Sequence, residues 1–188
     1  TRSLPMIARA AVAASMAAGC ATSQFAGRDP SREAYGAYLR GLMYERSAKL
    51  PEALDAYRLA IEHDHRSPHL HVRVGATYVK LGQLEKAMQQ FEKALVLSPD
   101  DPDALRWVAM LRTSQGRLDD AIAAYERFLT AKPNDQFVLS TLADLYVLQG
   151  GLPRAVELYQ QLIREFESTA QLHFNLGVLY GRMQRFDD

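Results

Sequence analysis

From Ala34 onward the apolar positions fall at helical spacing, and the pattern returns with a period of thirty-four, the step from Gly41 to Gly75. In "HLHVRVGATYVKLG", residues 69–82, Leu70, Val74 and Tyr78 stand at i, i+4 and i+8 on one face, and Gly82 supplies a stop. In "LEKAMQQFEKALVLSP", residues 84–99, a second face is made by Leu84, Ala87, Met88, Phe91, Ala94 and Leu95, with Pro99 just past its end. Each unit therefore predicts two amphipathic helices. One such pair cannot bury both stripes alone, so the units must stack.

Shifting the chain by one period aligns it with itself without insertion or deletion. Gly41, Gly75, Ala109, Ala143 and Gly177 form a small-residue column, followed three positions later by Tyr44, Tyr78, Arg112, Tyr146 and Tyr180. Further columns hold Ala48, Gly82, Gly116 and Gly150; Leu50, Leu84, Leu118, Leu152 and Phe186; Ala53, Ala87, Ala121 and Ala155; and Tyr57, Phe91, Tyr125 and Tyr159. Small residues let helix backbones approach, and the aromatic columns fill the adjoining space. Pro51 and Pro153 share a column that fits the first turn of a helix, where proline removes no needed donor.

The period and the pattern Gly75-x-x-Tyr78, Gly82-x-Leu84, Ala87, Phe91, Pro99 resemble the tetratricopeptide repeat family. That resemblance implies an all-α solenoid of antiparallel helix pairs over residues 34–188, with repeats at 34–67, 68–101, 102–135 and 136–169 and a partial one at 170–188. Departures are local: Arg112 replaces the tyrosine, Ala48 the turn glycine, and His65 and Glu167 the closing proline. In the family the first helix of each repeat lines a concave groove that binds other proteins. The columns so placed hold Tyr35, Tyr38, Leu42, Val72, Val79, Arg106, Met110, Phe137, Asp144 and Phe174, and these are the expected partner contacts. Chaperone-binding relatives clamp a terminal carboxylate with lysines and asparagines in some of these columns. Val72, Arg106 and Ser140, then Ala76, Met110 and Asp144, stand there instead, so an apolar or amphipathic segment is the expected occupant.

Four of the five histidines crowd into "HDHRSPHLH", residues 63–71, a density that invites a metal. Those residues occupy the columns of "LSPDDPDAL" and "AKPNDQFVL", the recurring junction between repeats, so the stretch reads as a turn with Ser67 as N-cap and Pro68 opening the next helix. No carboxylate or cysteine is placed regularly around it. Signatures of catalysis are missing too: no G-x-S-x-G, phosphate-cradling glycine loop or H-E-x-x-H occurs, and the acidic runs fit helix starts. The expectation is a non-catalytic chain without cofactor or metal.

Lysine plus arginine and aspartate plus glutamate are equal at 22 each, which removes the basic field that nucleic acid would need. The stretch from Thr1 to Cys20 differs from the rest. Arg2 and Arg9 precede an apolar run from Ala10 to Ala18, too short to span a bilayer, in the manner of a secretory signal. Ala17-Ala18-Gly19-Cys20 resembles the bacterial lipobox, which implies lipid on Cys20, the single cysteine, and membrane attachment through it. Residues 21–33 then read as a tether, of which Ala21 to Ser31 would reach at most about 40 Å. Ala21 after the cysteine resembles outer-membrane sorting in enteric bacteria.

These readings converge on an adaptor or assembly factor of the bacterial cell envelope, lipid-anchored to the outer membrane and facing the periplasm. The layout resembles the pilotin lipoproteins of type IV pilus secretins. The alternative is a docking arm of a larger envelope enzyme, a protease or cell-wall hydrolase, whose catalytic domain lies beyond residue 188. "GRMQRFDD" stops one residue before the next alanine column, so the chain is expected to continue, and Leu176, Leu179, Tyr180 and Met183 are expected to form an open apolar face.

Overall fold

A computed structural model of the chain describes residues 31–167 and 169–184. The signal-like segment, Cys20, most of the tether and Phe186 lie outside the described residues. Among these residues nine helices follow one another and no strand occurs: α1 (Arg32–Arg46), α2 (Leu50–His63), α3 (Pro68–Lys80), α4 (Leu84–Leu97), α5 (Pro102–Ser114), α6 (Leu118–Ala131), α7 (Gln136–Gln149), α8 (Leu152–Glu165) and α9 (Ala170–Gln184). Helix α1 begins at Arg32, two residues before the expected start of the repeats at Ala34, with Glu33 in its first turn where a carboxylate complements the helix dipole. None of the described helices is long and apolar enough to cross a membrane.

The first helices α1, α3, α5 and α7 each pack most closely on the second helix of their own repeat, and each second helix packs on the first helix of the next. The core follows from the columns. Tyr57, Phe91, Tyr125 and Phe128 are fully buried, as are the small residues Ala53, Ala87, Ala109, Ala121, Ala143 and Ala155. Burying one such aromatic contributes about 1.5–3 kcal/mol of transfer free energy. One cluster of buried side chains runs from Ala53 to Leu111 and another from Leu105 to Leu179, and half-buried Leu95 and Val108 pack against both. The stripe of α3 is covered as its spacing predicts, with Leu70, Val74 and Tyr78 buried. Leu84 departs from expectation: it opens α4 at the end of the stripe and is exposed. On α9, Leu179 is buried and Leu176 and Met183 pack against the second cluster, so that stripe covers α8 rather than lying open; of the four residues only Tyr180 is exposed.

A second set of columns ties neighbouring repeats together. Arg58, Glu92, Glu126 and Gln160 stand one period apart on the second helices. Each meets the Tyr78, Arg112, Tyr146 and Tyr180 column of the following repeat. Arg58 donates to the Tyr78 hydroxyl at 2.5 Å, Tyr146 donates to Glu126 at 2.5 Å, and Gln160 donates to Tyr180 at 2.7 Å. Arg112 replaces a tyrosine without loss of the link, because Glu92 faces it and accepts from Nη2 at 3.3 Å. Apart from Arg58 with buried Tyr78, these pairs are at the surface, where an ion pair such as Arg112–Glu92 adds about 1 kcal/mol or less.

The turns inside the repeats share one geometry. Lys49 N–H donates to Tyr44 O, Gln83 to Tyr78 O, Arg117 to Arg112 O and Gly151 to Tyr146 O, all at 2.8–2.9 Å, each across a residue with positive φ. That residue is glycine at 82, 116 and 150, with φ between 71° and 89°, and alanine at 48, with φ 56°. Between repeats, Asp101 and Asp135 cap the next helix by accepting from Ala104 N–H at 2.9 Å and Val138 N–H at 3.0 Å. Ser67 occupies the same position with extended backbone but makes no side-chain capping bond, contrary to the cap read from the sequence. Ala48→Gly relieves a left-handed alanine, which costs about 1–2 kcal/mol, against the greater freedom glycine has when unfolded. Urea unfolding should show a net gain of about 0.5–1 kcal/mol; a loss would mean that the turn tolerates Cβ without strain.

Candidate functional site

The first helices carry the residues expected to meet a partner, and packing divides them. Tyr35, Met110, Phe137 and Phe174 stand in water, between 39% and 66% exposed, and Val178 joins them at 45%. Leu42 and Val79 are half-buried and pack against the first core cluster. The Tyr38 hydroxyl is hydrogen-bonded to His69 Nε2 at 3.1 Å, and its ring lies 5.6 Å from the imidazole and 6.0 Å from the Tyr57 ring. Arg106 is paired with Asp103 of its own helix at 3.6 Å. Val72 does not belong to the surface: only 6% exposed, it sits in the core cluster with Tyr57 and Phe91 and offers nothing to a partner. Between α7 and α9, Val147, Phe174 and Val178 line a shallow cleft of about 230 Å³ with Asp144 and Arg182.

Asp144 also has a partner, since it accepts from the Tyr159 hydroxyl at 2.5 Å, and that oxygen accepts from Asn175 Nδ2 at 3.3 Å. A larger network of the same kind lies between the first two repeats. Glu45 accepts from Tyr57 Oη at 2.6 Å, from Lys80 Nζ at 2.5 Å and from Arg73 Nη2. Arg73 lies over the Tyr57 ring, 5.6 Å from its centroid, and its Nε is buried without an acceptor. Burial alone would raise the Glu45 carboxyl, but the bonds from Lys80 and Tyr57 and the charges of Arg73 and Lys80 outweigh it and hold Glu45 below its ordinary value. Burial, then the bond to Glu45, pushes the Tyr57 phenol up to about 12; burial, then Asp144, does the same to Tyr159. Glu45 is thus held ionised and both phenols protonated at neutral pH, so these groups bind and orient and do not exchange protons there.

This network escaped the repeat comparison because its column is not uniform. Arg73, Trp107 and Asn175 each follow an aromatic of the preceding repeat by the same interval, as Arg73 follows Tyr57. Trp107 stacks on Phe91 with centroids 5.5 Å apart and planes 5° apart, whereas Arg73 and Asn175 hydrogen-bond the hydroxyls of Tyr57 and Tyr159. In these three cases a polar residue follows the hydroxyl and an apolar one the bare ring, whereas Thr141, at the same interval after Tyr125, donates to Phe137 O at 2.8 Å. The signal was present in the sequence as a correlation between columns.

The histidine-rich junction folds as a turn. His69 engages Tyr38, while buried His71 donates from Nδ1 to Gln90 Oε1 at 2.9 Å. Among the described residues no three His, Cys, Asp or Glu side chains converge to hold a metal ion.

Two family models, both of the tetratricopeptide repeat, match residues 75–136 and 112–188. Protein bimA of Emericella nidulans is 37% identical over 68 residues, 36% of this chain and only 8% of that protein's length. MamA from Desulfovibrio magneticus RS-1, residues 41 to the end, superposes with a TM-score of 0.70 at 20% identity, covering 83% of this chain and 88% of its own. The first repeat domain of Spaghetti (RPAP3), bound to the HSP90 peptide SRMEEVD, superposes with a TM-score of 0.60 at 23% identity, covering 64% of this chain and 95% of its own. At these identities the structural likeness is one of fold.

The buried phenols make a pH-dependent stability testable. With pKa raised from 10 to about 12, each stabilises the fold fully below pH 10 and loses that contribution as pH rises through 12. Alkaline unfolding followed by circular dichroism should therefore steepen between these values, and Tyr57→Phe with Tyr159→Phe should flatten it. An unchanged alkaline limb in the double variant would show that these hydroxyls are not the groups that titrate.

Proposed function

We propose that this chain, which belongs to the tetratricopeptide repeat family, is a non-catalytic protein-interaction scaffold that holds an apolar or amphipathic segment of another protein along its first helices. The observation that carries this reading is the large apolar side chains left in water on four of those helices, Tyr35 on α1, Met110 on α5, Phe137 on α7 and Phe174 and Val178 on α9. Neighbouring positions of the same helices are buried, so exposure here follows from direction and not from loose packing. Large apolar side chains gathered on first helices are the kind of surface that marks an interaction site. The peptide on the similar domain of Spaghetti (RPAP3) supports an occupant of that size. Its acidic end has no counterpart here in a row of lysines, since Val72, Arg106 and Ser140 fill those columns.

The proposal extends to location. Arg2, Arg9, the apolar run and the small residues before Cys20 support a lipid-anchored adaptor or assembly factor of the bacterial cell envelope, at the outer membrane and facing the periplasm. Expression of the full gene in a bacterium with labelled palmitate reads the anchor, and the membrane fraction then serves for affinity capture with mass spectrometry. Label should be lost in Cys20→Ser. Partner recovery should fall about tenfold in Phe137→Ser and Phe174→Ser, while helicity stays near that of the parent because both side chains are exposed. Retained label would refute the anchor, and undiminished recovery in both variants would refute the groove.

A further inference from the structure

Two columns that the later first helices lay against the repeat before them, those of Leu39 and Met43, are open on α1. Thr77, Leu111, Leu145 and Leu179 are 0%, 6%, 2% and 3% exposed, whereas Met43 in their column is 68% exposed. Arg73 and Trp107 lie over a ring of the preceding repeat and Asn175 bonds a ring hydroxyl, whereas Leu39 in their column is 41% exposed. Lys80 donates to Glu45 of the preceding repeat, whereas Arg46 in its column makes no ion pair with a described residue. Leu39, Leu42, Met43 and Arg46, at i, i+3, i+4 and i+7, line a cleft of about 540 Å³ bordered by Arg73 and Lys80. Its one carboxylate, Glu45, is already engaged by both of those cations.

We propose that this face of α1 is a docking surface distinct from the groove, and that it takes an acidic amphipathic helix of a partner protein, seated where a preceding repeat would lie. The partner is a helix because helices cover the columns of Leu39 and Met43 in the later repeats and because the stripe from Leu39 to Arg46 is about two helical turns long. It carries an apolar or aromatic side chain because Leu39 stands in the column that covers a ring. It is acidic because Arg46 stands where Lys80 receives a carboxylate, and because three cations border the cleft against one neutralised anion. The proposal rests on the reading of this chain as an interaction scaffold, and it shares with the groove only half-buried Leu42.

The test uses two labelled helical peptides of about 18 residues (~27 Å), identical in their apolar stripe, one flanked by glutamates and one by lysines, titrated into the full chain by fluorescence anisotropy. The acidic peptide should bind and the basic one should not. Arg46→Glu should weaken the acidic peptide about tenfold or more and favour the basic one, and Met43→Glu should remove both; circular dichroism checks that each variant is folded. Phe137→Ser should leave both titrations unchanged. Equal binding of the two peptides, no binding of either, or indifference to Arg46→Glu overturns the proposal. Loss on Phe137→Ser but not on Met43→Glu would move the peptide into the groove, and the scaffold reading would stand without this surface. A photoreactive residue at position 43 supplies the last arm: crosslinks to residues 1–30 of the same molecule, or between two copies, would show the face already covered by this chain and would also overturn it.

Discussion

The stack depends on one contact, an aromatic ring of each second helix pressed against a residue of the first helix that has little or no side chain. A Cβ built at Gly41 would lie 2.4 Å from the Tyr57 ring, and one at Gly75 would lie 2.5 Å from the Phe91 ring. Ring and glycine fix how closely the two helices of a repeat approach, and that distance fixes where every other column points. Ala109 and Ala143, with Tyr125 and Tyr159, meet the same need with one methyl more, and all four side chains are buried in one cluster. Position 177 has no ring: nothing lies within 4 Å of a Cβ built there, because no described helix follows α9.

Once the rings are placed, the outer edges of Tyr57, Phe91 and Tyr159 pose a chemical question that the next repeat answers case by case. A phenol brought into the stack needs a hydrogen-bond partner, and Arg73 with Glu45 supplies it for Tyr57 as Asn175 with Asp144 does for Tyr159. A bare ring needs only surface, and Trp107 supplies that for Phe91. The Arg58, Glu92, Glu126 and Gln160 links answer the same question at the rim. Their chemistry changes from repeat to repeat while their geometry does not, which gives neighbouring repeats individual matches and discourages mispairing.

The fold was legible in the sequence because backbone approach and ring burial admit few residue types, so Gly75, Ala87 and Phe91 recur in register. The side of a helix was less legible. Val72 and Phe174 stand in one column assigned to the groove, yet Val72 is buried among its neighbours and Phe174 is exposed. Glu45, Arg73 and Lys80 carried no repeated signature, and their convergence depends on distances that period alone does not supply. Ser67 shows the converse: its position follows from the register, whereas its missing capping bond is a matter of side-chain direction.

The claim that ring-on-glycine packing sets the architecture can be tested within one column. Alanine is the better helix former by about 1 kcal/mol, so Gly→Ala on an open helix face should stabilise. Equilibrium urea unfolding, with hydrogen exchange to place the effect, should show Gly177→Ala to be neutral or stabilising. Gly75→Ala should lose about 1–3 kcal/mol as the Phe91 ring is displaced, with protection falling first in α3, α4 and the helices beside them. If Gly75→Ala proves as stabilising as Gly177→Ala, the ring does not need the glycine, and the account of how these helices are spaced is wrong.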